Sequence, residues 1–268
     1  HGLVEFTAAG ARSIPLDAAF PVLHGKNGED GTVQGLAELA GIPLVGCGCL
    51  ASAICMDKDR AHKLARLAGV DVPESFVVRA GERLDDLERR AQALGYPIFV
   101  KPVRAGSSFG ITRVTDPDGL KPAVQLALEH DNEAILEQAV EGFEVGCAVL
   151  GNETLTCGRV DEIELAGGFF DYTEKYTLQS ARIHMPARID PDTERRIRQD
   201  ACAVYRALGC SGFARVDLFL TPQGRIVFNE VNTIPGFTAH SRYPNMMKGI
   251  GLSFSQVLDR LIELGVKG

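Results

Sequence analysis

The chain has 268 residues, of which 45% are hydrophobic and 24% are charged, a composition typical of a globular protein with one large or two smaller domains. Its formal net charge of -7 argues against a nucleic-acid partner, because binding to a phosphate backbone depends on clustered Lys and Arg. No apolar run approaches the roughly 18 residues that a transmembrane helix needs, and the first residues lack the pattern of a signal peptide. We therefore expect a cytoplasmic protein that does not bind a membrane.

The cysteines are expected to be reduced thiols. There are 7 of them at scattered positions, and Cys47 and Cys49 form a C-x-C pair. No second close pair and no nearby His completes a zinc site. We interpret the cysteines as small apolar residues of the core.

The beginning of the chain is interpreted as the tail of an α/β unit. A strand is predicted over residues 19–23, followed by a loop of turn-forming residues at 24–31. A helix over 33–40, which Gly41 ends, and a strand over 42–45 complete the unit. The residues before the first strand are only weakly patterned, so we expect that the chain begins partway through a domain.

A small α+β subdomain is predicted from about residue 70 to residue 138. It follows a helix that Asp57 caps and Gly69 ends. Strands and helices alternate within it, with strands at 75–78, 98–101 and 134–137 and helices at 84–94 and 119–129.

The rest of the chain is predicted to contain further strands and two long helices around an extended loop. The loop, at 166–182, is of a length that inside a compact domain is commonly a functional lid. The predicted elements are strands at 144–150, 154–160 and 226–231, a helix that Asp190 caps and Gly209 ends, and a last helix over 253–264.

A hairpin at 213–232 contains the strongest pattern in the chain. Two apolar runs flank the connection Thr221-Pro-Gln-Gly224, the residue order that a type I turn prefers. If the connection holds an even number of residues, Asp217 lies opposite Phe228 and Arg215 opposite Glu230. Because side chains alternate, one face then carries Arg215, Asp217, Glu230 and Asn232.

Two interpretations of this polar face remain open. Oxygen ligands without His or Cys suit Mg²⁺, which commonly takes one or two carboxylates together with phosphate oxygens. A structural salt-bridge network would explain the same charges.

Other segments give weaker signals when each is taken alone. The loop 104–110 combines two glycines with two hydroxyls and could contact phosphate, although such a loop is more often a simple turn. Lys101 ends an apolar strand and should need a buried anion. Glu137 and Glu144 could accept hydrogen bonds from ribose, or could lie at exposed strand ends.

After the hairpin, an irregular segment with two prolines lies at 232–244. It carries Ser241 and Arg242, which could bind a carboxylate or belong to a structural loop. The histidines, His24 among them, are too dispersed for a metal site.

Taken in order, these segments resemble the ATP-grasp ligases of the D-alanine–D-alanine ligase family. The resemblance covers nearly the whole chain, at residues 23–35, 56–58, 99–102 with the Gly-Ser-Ser loop, Glu137 with Glu144, 174–176, 215–217 and 229–236. It implies an α/β (α+β) chain with an ATP-grasp fold. The implied boundaries are 1–56 for the remainder of an N-terminal α/β domain, 57–138 for the central subdomain and 139–268 for the C-terminal subdomain.

The resemblance also implies a role for individual residues. ATP would be held by Lys58, Lys101, Glu137, Glu144 and Lys175, and two Mg²⁺ ions, or Mn²⁺ in their place, by Asp217, Glu230 and Asn232. Arg215 and the Gly236 backbone would stabilise the oxyanion, and Ser241 would hold the carboxylate of the second substrate. His24, Ser107 and Tyr176 would form the network on the substrate side.

The implied reaction has two steps. The carboxylate of D-alanine attacks the γ-phosphate of ATP and gives an acyl phosphate, and the amine of a second D-amino acid then displaces phosphate. A closed lid would exclude water from the intermediate. The resemblance further implies a homodimer.

The second substrate distinguishes groups within the family. Residues 169–177 and 240–247 most resemble the VanG-type D-alanine–D-serine ligases, in which Asp161, Phe170 and Arg242 would shape a serine pocket. Ligases that form D-alanine–D-alanine usually carry an apolar residue at the position of Arg242, and Lys175-Tyr176 argues against D-lactate. The product would be used in peptidoglycan precursors with altered termini, as in glycopeptide resistance.

Two alternatives remain. The chain could be a D-alanine–D-alanine ligase of ordinary wall synthesis, since Arg242 could serve a carboxylate instead of a hydroxyl. It could also be a nucleotide-binding module without catalysis, because the α/β unit with which family members begin is expected to be missing. The hairpin residue Arg215 argues against the second alternative, since a binding module has little need of an oxyanion arginine.

Overall fold

The computed structural model describes residues 2–106, 109–165 and 181–267. Within these residues the strands form three separate sheets, with 2, 4 and 6 strands. No helix of the described residues has the length and apolar character to cross a membrane.

The smallest sheet is an N-terminal hairpin that the sequence did not predict. It pairs β1 (Gly2–Thr7) with β2 (Gly10–Pro15), and Leu3, Val4 and Phe6 are exposed on it. Because neither strand has a buried face, the sequence shows no alternation of apolar and polar residues. The strands predicted at 19–23 and 42–45 are reduced to one parallel bridge between Ala19 and Leu44.

Three helices connect this region to the rest of the molecule. They are α1 (Thr32–Leu39), α2 (Cys49–Met56) and α3 (Lys58–Leu67). The cap predicted for α3 is confirmed, since the Asp57 side chain accepts a hydrogen bond from the backbone N–H of Arg60. Helix α2 was not predicted, because its small apolar residues have no charged face to produce a helical period.

The four-stranded sheet has the order β3-β6-β4-β5 and carries two helices. Its elements are β3 (Ser75–Arg79), α4 (Leu84–Leu94), β4 (Ile98–Pro102), β5 (Thr112–Val114), α5 (Leu120–His130) and β6 (Glu133–Gln138). Residues from both helices and from the strands form one apolar core. The alternating strands and helices predicted for this part of the chain are confirmed.

The six-stranded sheet has the order β10-β9-β7-β11-β12, with β8 paired to β7. Its strands are β7 (Phe143–Leu150), β8 (Thr156–Cys157), β9 (Asp161–Leu165), β10 (Ala181–His184), β11 (Phe213–Leu220) and β12 (Ile226–Asn232). The strand predicted at 154–160 is limited to the two residues of β8.

Helices cover both faces of this sheet. The helices that follow β10 are α6 (Pro191–Ala207), α7 (Arg242–Lys248) and α8 (Phe254–Lys267). Val145, Cys147 and Val149 pack in a core with α3 and α6, whereas Ala148 and Leu150 pack in a core with α7 and α8. The second face is therefore apolar near the C-terminal end of β7.

Helix α7 corrects the prediction of irregular chain after the hairpin. It begins at Arg242, so Pro244 lies in its first turn, where a proline is tolerated because the N–H groups there have no partner inside the helix.

The hairpin that carries the polar face contains a β-bulge. Asp217 pairs with Glu230 and Arg215 with Asn232, whereas nearer the turn Leu218 pairs with Phe228. The predicted pairs of Asp217 with Phe228 and of Arg215 with Glu230 are therefore wrong. The prediction of one shared face is correct. Asn229 lies in the bulge without a partner on β11, and this extra residue places Glu230 and Asn232 on the same face as Asp217 and Arg215.

Helix α8 begins with a reciprocal capping box. The Ser253 hydroxyl accepts a hydrogen bond from the Gln256 backbone N–H at 3.2 Å, and the Gln256 side chain accepts one from the Ser253 N–H at 2.8 Å. We expect Ser253→Ala to lower the free energy of unfolding by about 1 kcal/mol. Urea denaturation measures this, with Ser255→Ala in the first turn as the matched control, and equal effects of the two substitutions would contradict the role of the cap.

Candidate active site

A cavity of about 330 Å³ lies where the loop before α1, the junction of α2 and α3, and the end of β12 meet. It is lined by the backbone and side chains of several predicted site residues. These are His24, Lys58, Arg215, Glu230, Asn232, Gly236, Ser241 and Arg242. The fold therefore brings together residues that are up to 218 positions apart in sequence, from position 24 to position 242.

Asp217 lies at the centre of the polar face, and it is 1% exposed. Arg215 donates two hydrogen bonds to its carboxylate, at 2.8 and 2.6 Å, and the Asn232 amide donates a third at 2.8 Å. Burial alone would lower the pKa of the Arg215 guanidinium, but the charge of Asp217 outweighs it and raises that pKa. Arg215 is therefore a permanent cation in direct contact with a buried carboxylate.

Glu230 pairs with Asp217 across the ladder and also lines the cavity. With Asn232, these side chains offer two carboxylates and an amide oxygen on one face. Among residues 2–106, 109–165 and 181–267 no group of three or more His, Cys, Asp or Glu is placed to hold a metal. Two carboxylates and an amide are nevertheless a donor set that fits Mg²⁺ bound together with phosphate oxygens.

Arg242 begins α7 and extends across the polar face to β9 and β7. Its Nε and Nη2 atoms donate to Asp161 at 2.7 and 2.8 Å, and Nη1 donates to Glu144 at 3.3 Å. Its Nη2 atom lies 3.5 Å from Asp217. Burial would lower the pKa of this guanidinium, but the charges of Asp161 and Asp217 raise it well above its ordinary value.

Gly146 makes room for this arginine, and the sequence analysis had not identified it. A Cβ atom at this position would lie 2.4 Å from Arg242 Nη2 and 2.7 Å from Asp161 Oδ1. Its N–H donates to Asp161 Oδ1 at 3.1 Å. A glycine inside a strand often marks a close approach of this kind, which is the signal that could have identified it.

The segment between β12 and α7 places Ser241 and Gly236 side by side. The Ser241 hydroxyl accepts a hydrogen bond from the Thr238 N–H at 2.9 Å, and a Cβ on Gly236 would lie 3.1 Å from that hydroxyl.

In the loop before α1, the carboxylate of Glu29 accepts a hydrogen bond from the Gly25 N–H at 2.6 Å, and this hydrogen bond stabilises the loop that contains His24. Glu29 lines the cavity, and sequence reasoning had not identified it.

Lys58 and Lys101, two of the three lysines predicted to hold the nucleotide, are buried. Lys58 donates to the Ala105 carbonyl at 2.8 Å, and Lys101 forms an ion pair with Glu137 at 2.5 Å. The expectation that Lys101 needs a buried anion is therefore confirmed. The residues that line the cavity do not include the predicted site residues Lys101, Glu137, Glu144, Asp161 and Asp217.

Four predicted site residues lie outside the described residues. They are Ser107, Phe170, Lys175 and Tyr176. Their roles remain predictions from the resemblance.

Comparison with known proteins identifies relatives over the whole chain. Residues 64–263 match the family described as "D-ala D-ala ligase C-terminus", and residues 3–47 match "D-ala D-ala ligase N-terminus". The vancomycin B-type resistance protein VanB of Enterococcus faecalis is 46% identical over 272 residues, which cover 100% of this chain and 78% of that protein.

Two solved structures are similar to the whole described fold. The VanG D-Ala:D-Ser ligase from Enterococcus faecalis is 62% identical with a TM-score of 0.89, and the match covers 97% of this chain and 78% of that one. The D-alanine-D-alanine ligase from Coxiella burnetii is 32% identical with a TM-score of 0.87, covering 99% and 73% of the two chains.

The ATP-grasp fold implied by the resemblance is thereby confirmed. The family matches, which together cover most of the sequence, agree with the arrangement of charged residues around the cavity. The chain belongs to the D-alanine–D-alanine ligase family, and it is a ligase.

Proposed function

We propose that the protein joins D-alanine to D-serine at the expense of ATP, through an acyl-phosphate intermediate. The observation that carries this proposal is the guanidinium of Arg242 at the cavity wall, in a chain 62% identical to the VanG D-Ala:D-Ser ligase. Asp161 and Glu144 hold this guanidinium in one orientation.

The hydrogen bonds of Arg242 leave donors for a substrate. Asp161 and Glu144 accept from three of its N–H groups, whereas a guanidinium carries five. The hydroxyl of D-serine could accept one of the others, while the methyl group of D-alanine could not. A site with buried donors disfavours the substrate that leaves them without a partner.

A second candidate is the ordinary D-alanine–D-alanine ligase. It is favoured by the three hydrogen bonds that Arg242 already donates to Asp161 and Glu144, since a cation held in this way could be purely structural. The match to the D-alanine-D-alanine ligase from Coxiella burnetii is consistent with this candidate.

ATP would be held by Lys58, Lys101, Glu137 and Glu144, with Lys175 at the phosphates. The buried ion pair of Lys101 with Glu137 supports this assignment, because it fixes a cation and an acceptor on adjacent strands. Burial would raise the pKa of Glu137, but the positive charge of Lys101 lowers it below its ordinary value. The carboxylate is thus ionised at neutral pH.

Two Mg²⁺ ions would be held by Asp217, Glu230 and Asn232, and Mn²⁺ could replace them. The ions would neutralise the charge of the phosphates. The chain's own residues would provide the rest: Arg215 and the backbone at Gly236 would face the oxyanion, and Ser241 would orient the second substrate by its carboxylate.

We also propose roles for the residues on the substrate side, a cellular location and a use of the product. His24, Ser107 and Tyr176 would form the network on the substrate side, and Asp161, Phe170 and Arg242 would shape the serine pocket. We further propose a cytoplasmic homodimer whose dipeptide supplies peptidoglycan precursors with altered termini, as glycopeptide resistance requires.

The product distinguishes the two candidates. With ATP, Mg²⁺ and an equimolar mixture of D-alanine and D-serine, we expect mass spectrometry to find mostly D-alanine–D-serine. Removal of the donors in Arg242→Leu should shift the product ratio toward D-alanine–D-alanine by about 10-fold or more, the value of a hydrogen bond to a charged group. Mostly D-alanine–D-alanine from the unsubstituted protein would overturn the proposal in favour of the second candidate.

Asp217 should be essential for turnover. We expect Asp217→Asn to reduce phosphate release by at least about 100-fold, since even the partners of metal ligands contribute about 10- to 100-fold. The exposed substitution Asp192→Asn is the control, and circular dichroism verifies that both variants fold. Turnover by folded Asp217→Asn at the original rate would refute the metal assignment.

The ion pair of Lys101 with Glu137 should make stability depend on pH. Its contribution is fully present above the unfolded-state pKa of about 4.3 and is lost as pH falls through the lower pKa of the folded state. We expect Glu137→Gln to lower the free energy of unfolding by about 3 kcal/mol at neutral pH, because Lys101 loses its buried partner.

Comparing Glu137→Gln with the unsubstituted protein at acid pH tests whether loss of the ion pair causes the loss of stability. The deficit of Glu137→Gln should shrink as pH falls below about 4.3 and through the lowered folded-state pKa of Glu137, where the carboxyl of the unsubstituted protein also becomes neutral. Urea titrations over this range, with exposed Glu141→Gln as the control, measure the difference. A deficit that does not change with pH would show that the loss is one of packing.

A further inference from the structure

A buried histidine joins the hairpin to the helix that carries Lys58. His62 lies one turn after Lys58 on α3 and is 3% exposed. Its Nε2 atom lies 2.9 Å from the Asn229 carbonyl oxygen, in β12. The reaction described above assigns no role to this side chain.

The Asn229 carbonyl belongs to the bulge that builds the polar face. Asn229 has no Cα partner on β11, and the register changes between Asp217 and Leu218. If the pairing of Leu218 with Phe228 continued without a bulge, Asn229 would lie opposite Asp217. Glu230 would then point to the other face, because a shift of one residue reverses every side chain.

The other register without a bulge would disturb the core instead of the polar face. If the pairing of Asp217 with Glu230 continued toward the turn, Phe228 would leave the core for the polar face. Phe228 is 0% exposed and packs its ring 5.6 Å from the ring of His62. Only the bulge allows Phe228 to lie in the core and Glu230 to lie beside Asp217.

The hydrogen bond to the bulge fixes the tautomer of His62. A carbonyl oxygen only accepts hydrogen bonds, so Nε2 must carry the hydrogen. Burial lowers the pKa of the imidazole, which favours the neutral ring. Nδ1 then carries a lone pair, and it faces Glu137 Oε1 at 3.8 Å. Neither atom has a hydrogen-bond partner among the described residues.

We propose that His62 is a positioning residue for the metal site, acting through the Asn229 carbonyl on the bulge that places Glu230 and Asn232 beside Asp217. This inference rests on the proposed function, because it takes Asp217, Glu230 and Asn232 as the ligands. The neighbouring N–H of Phe228 donates to the Asp71 carbonyl at 2.8 Å, so both hydrogen bonds hold this edge of β12. His62 is not among the residues that line the cavity.

Two amide substitutions of similar polarity test the role. Gln has a side-chain N–H that reaches about as far as Nε2, whereas that of Asn is one bond shorter. We expect His62→Asn to weaken Mn²⁺ binding by about 10-fold and His62→Gln to remain within about 3-fold of the original affinity. Binding is measured by electron paramagnetic resonance of Mn²⁺ in the presence of a non-hydrolysable ATP analogue.

A matched control separates positioning from general stability. Tyr205→Phe removes another buried hydrogen bond from a side chain to a carbonyl, that of Gly151 at 2.8 Å, in which none of the proposed metal ligands takes part. We expect it to lower the free energy of unfolding and to leave Mn²⁺ affinity unchanged. Equal loss of affinity in Tyr205→Phe and His62→Asn, or equal affinities of His62→Asn and His62→Gln, would overturn the inference.

The unsubstituted protein offers a second test that does not depend on a variant that folds. Imidazole ¹⁵N resonances should show a hydrogen on Nε2 and none on Nδ1 of His62, and the opposite tautomer would overturn the inference. Failure of the unsubstituted protein to bind Mn²⁺ with the analogue would instead refute the proposed metal site. The two failures are thus distinguishable.

Discussion

The candidate site depends on the burial of one negative charge, that of Asp217. A carboxylate that is 1% exposed is costly unless cations and donors surround it. Arg215 and Asn232 supply hydrogen bonds from its own hairpin, and Arg242 approaches from α7. A buried cation in turn needs further carboxylates nearby. The network of paired charges therefore spreads from Asp217 on β11 to Asp161 on β9 and Glu144 on β7.

This spread explains why substrate recognition and metal binding would be coupled in the protein. Arg242 contacts Asp161 on one side and lies 3.5 Å from Asp217 on the other. The residue that would select the second substrate thus shares its electrostatic environment with a residue that would bind the metal. A change in one charge alters the orientation of the other, because in a site of low polarity such interactions are strong.

The fold could be predicted from the sequence wherever burial produces a period. Helix α4 begins at Leu84 and ends at Leu94, as its apolar spacing predicted. The shared face of Arg215 and Asp217 also followed from alternation. The bulge at Asn229 could not be predicted, because alternation gives no sign of where an extra residue enters. The pairing of Arg242 with Asp161 spans 81 positions and depends on tertiary packing alone. The position of His62 against the bulge could not be predicted for the same reason.

The absence of a side chain at Gly146 has a consequence for how this site could change over generations. A Cβ there and a guanidinium at position 242 would occupy the same volume, at 2.4 Å. The two positions are therefore not independent, and the order of their mutations matters. A lineage that shortens residue 242 first can later add a side chain at residue 146. A lineage that adds the side chain first creates a steric clash with the arginine in addition to disturbing its ion pair with Asp161.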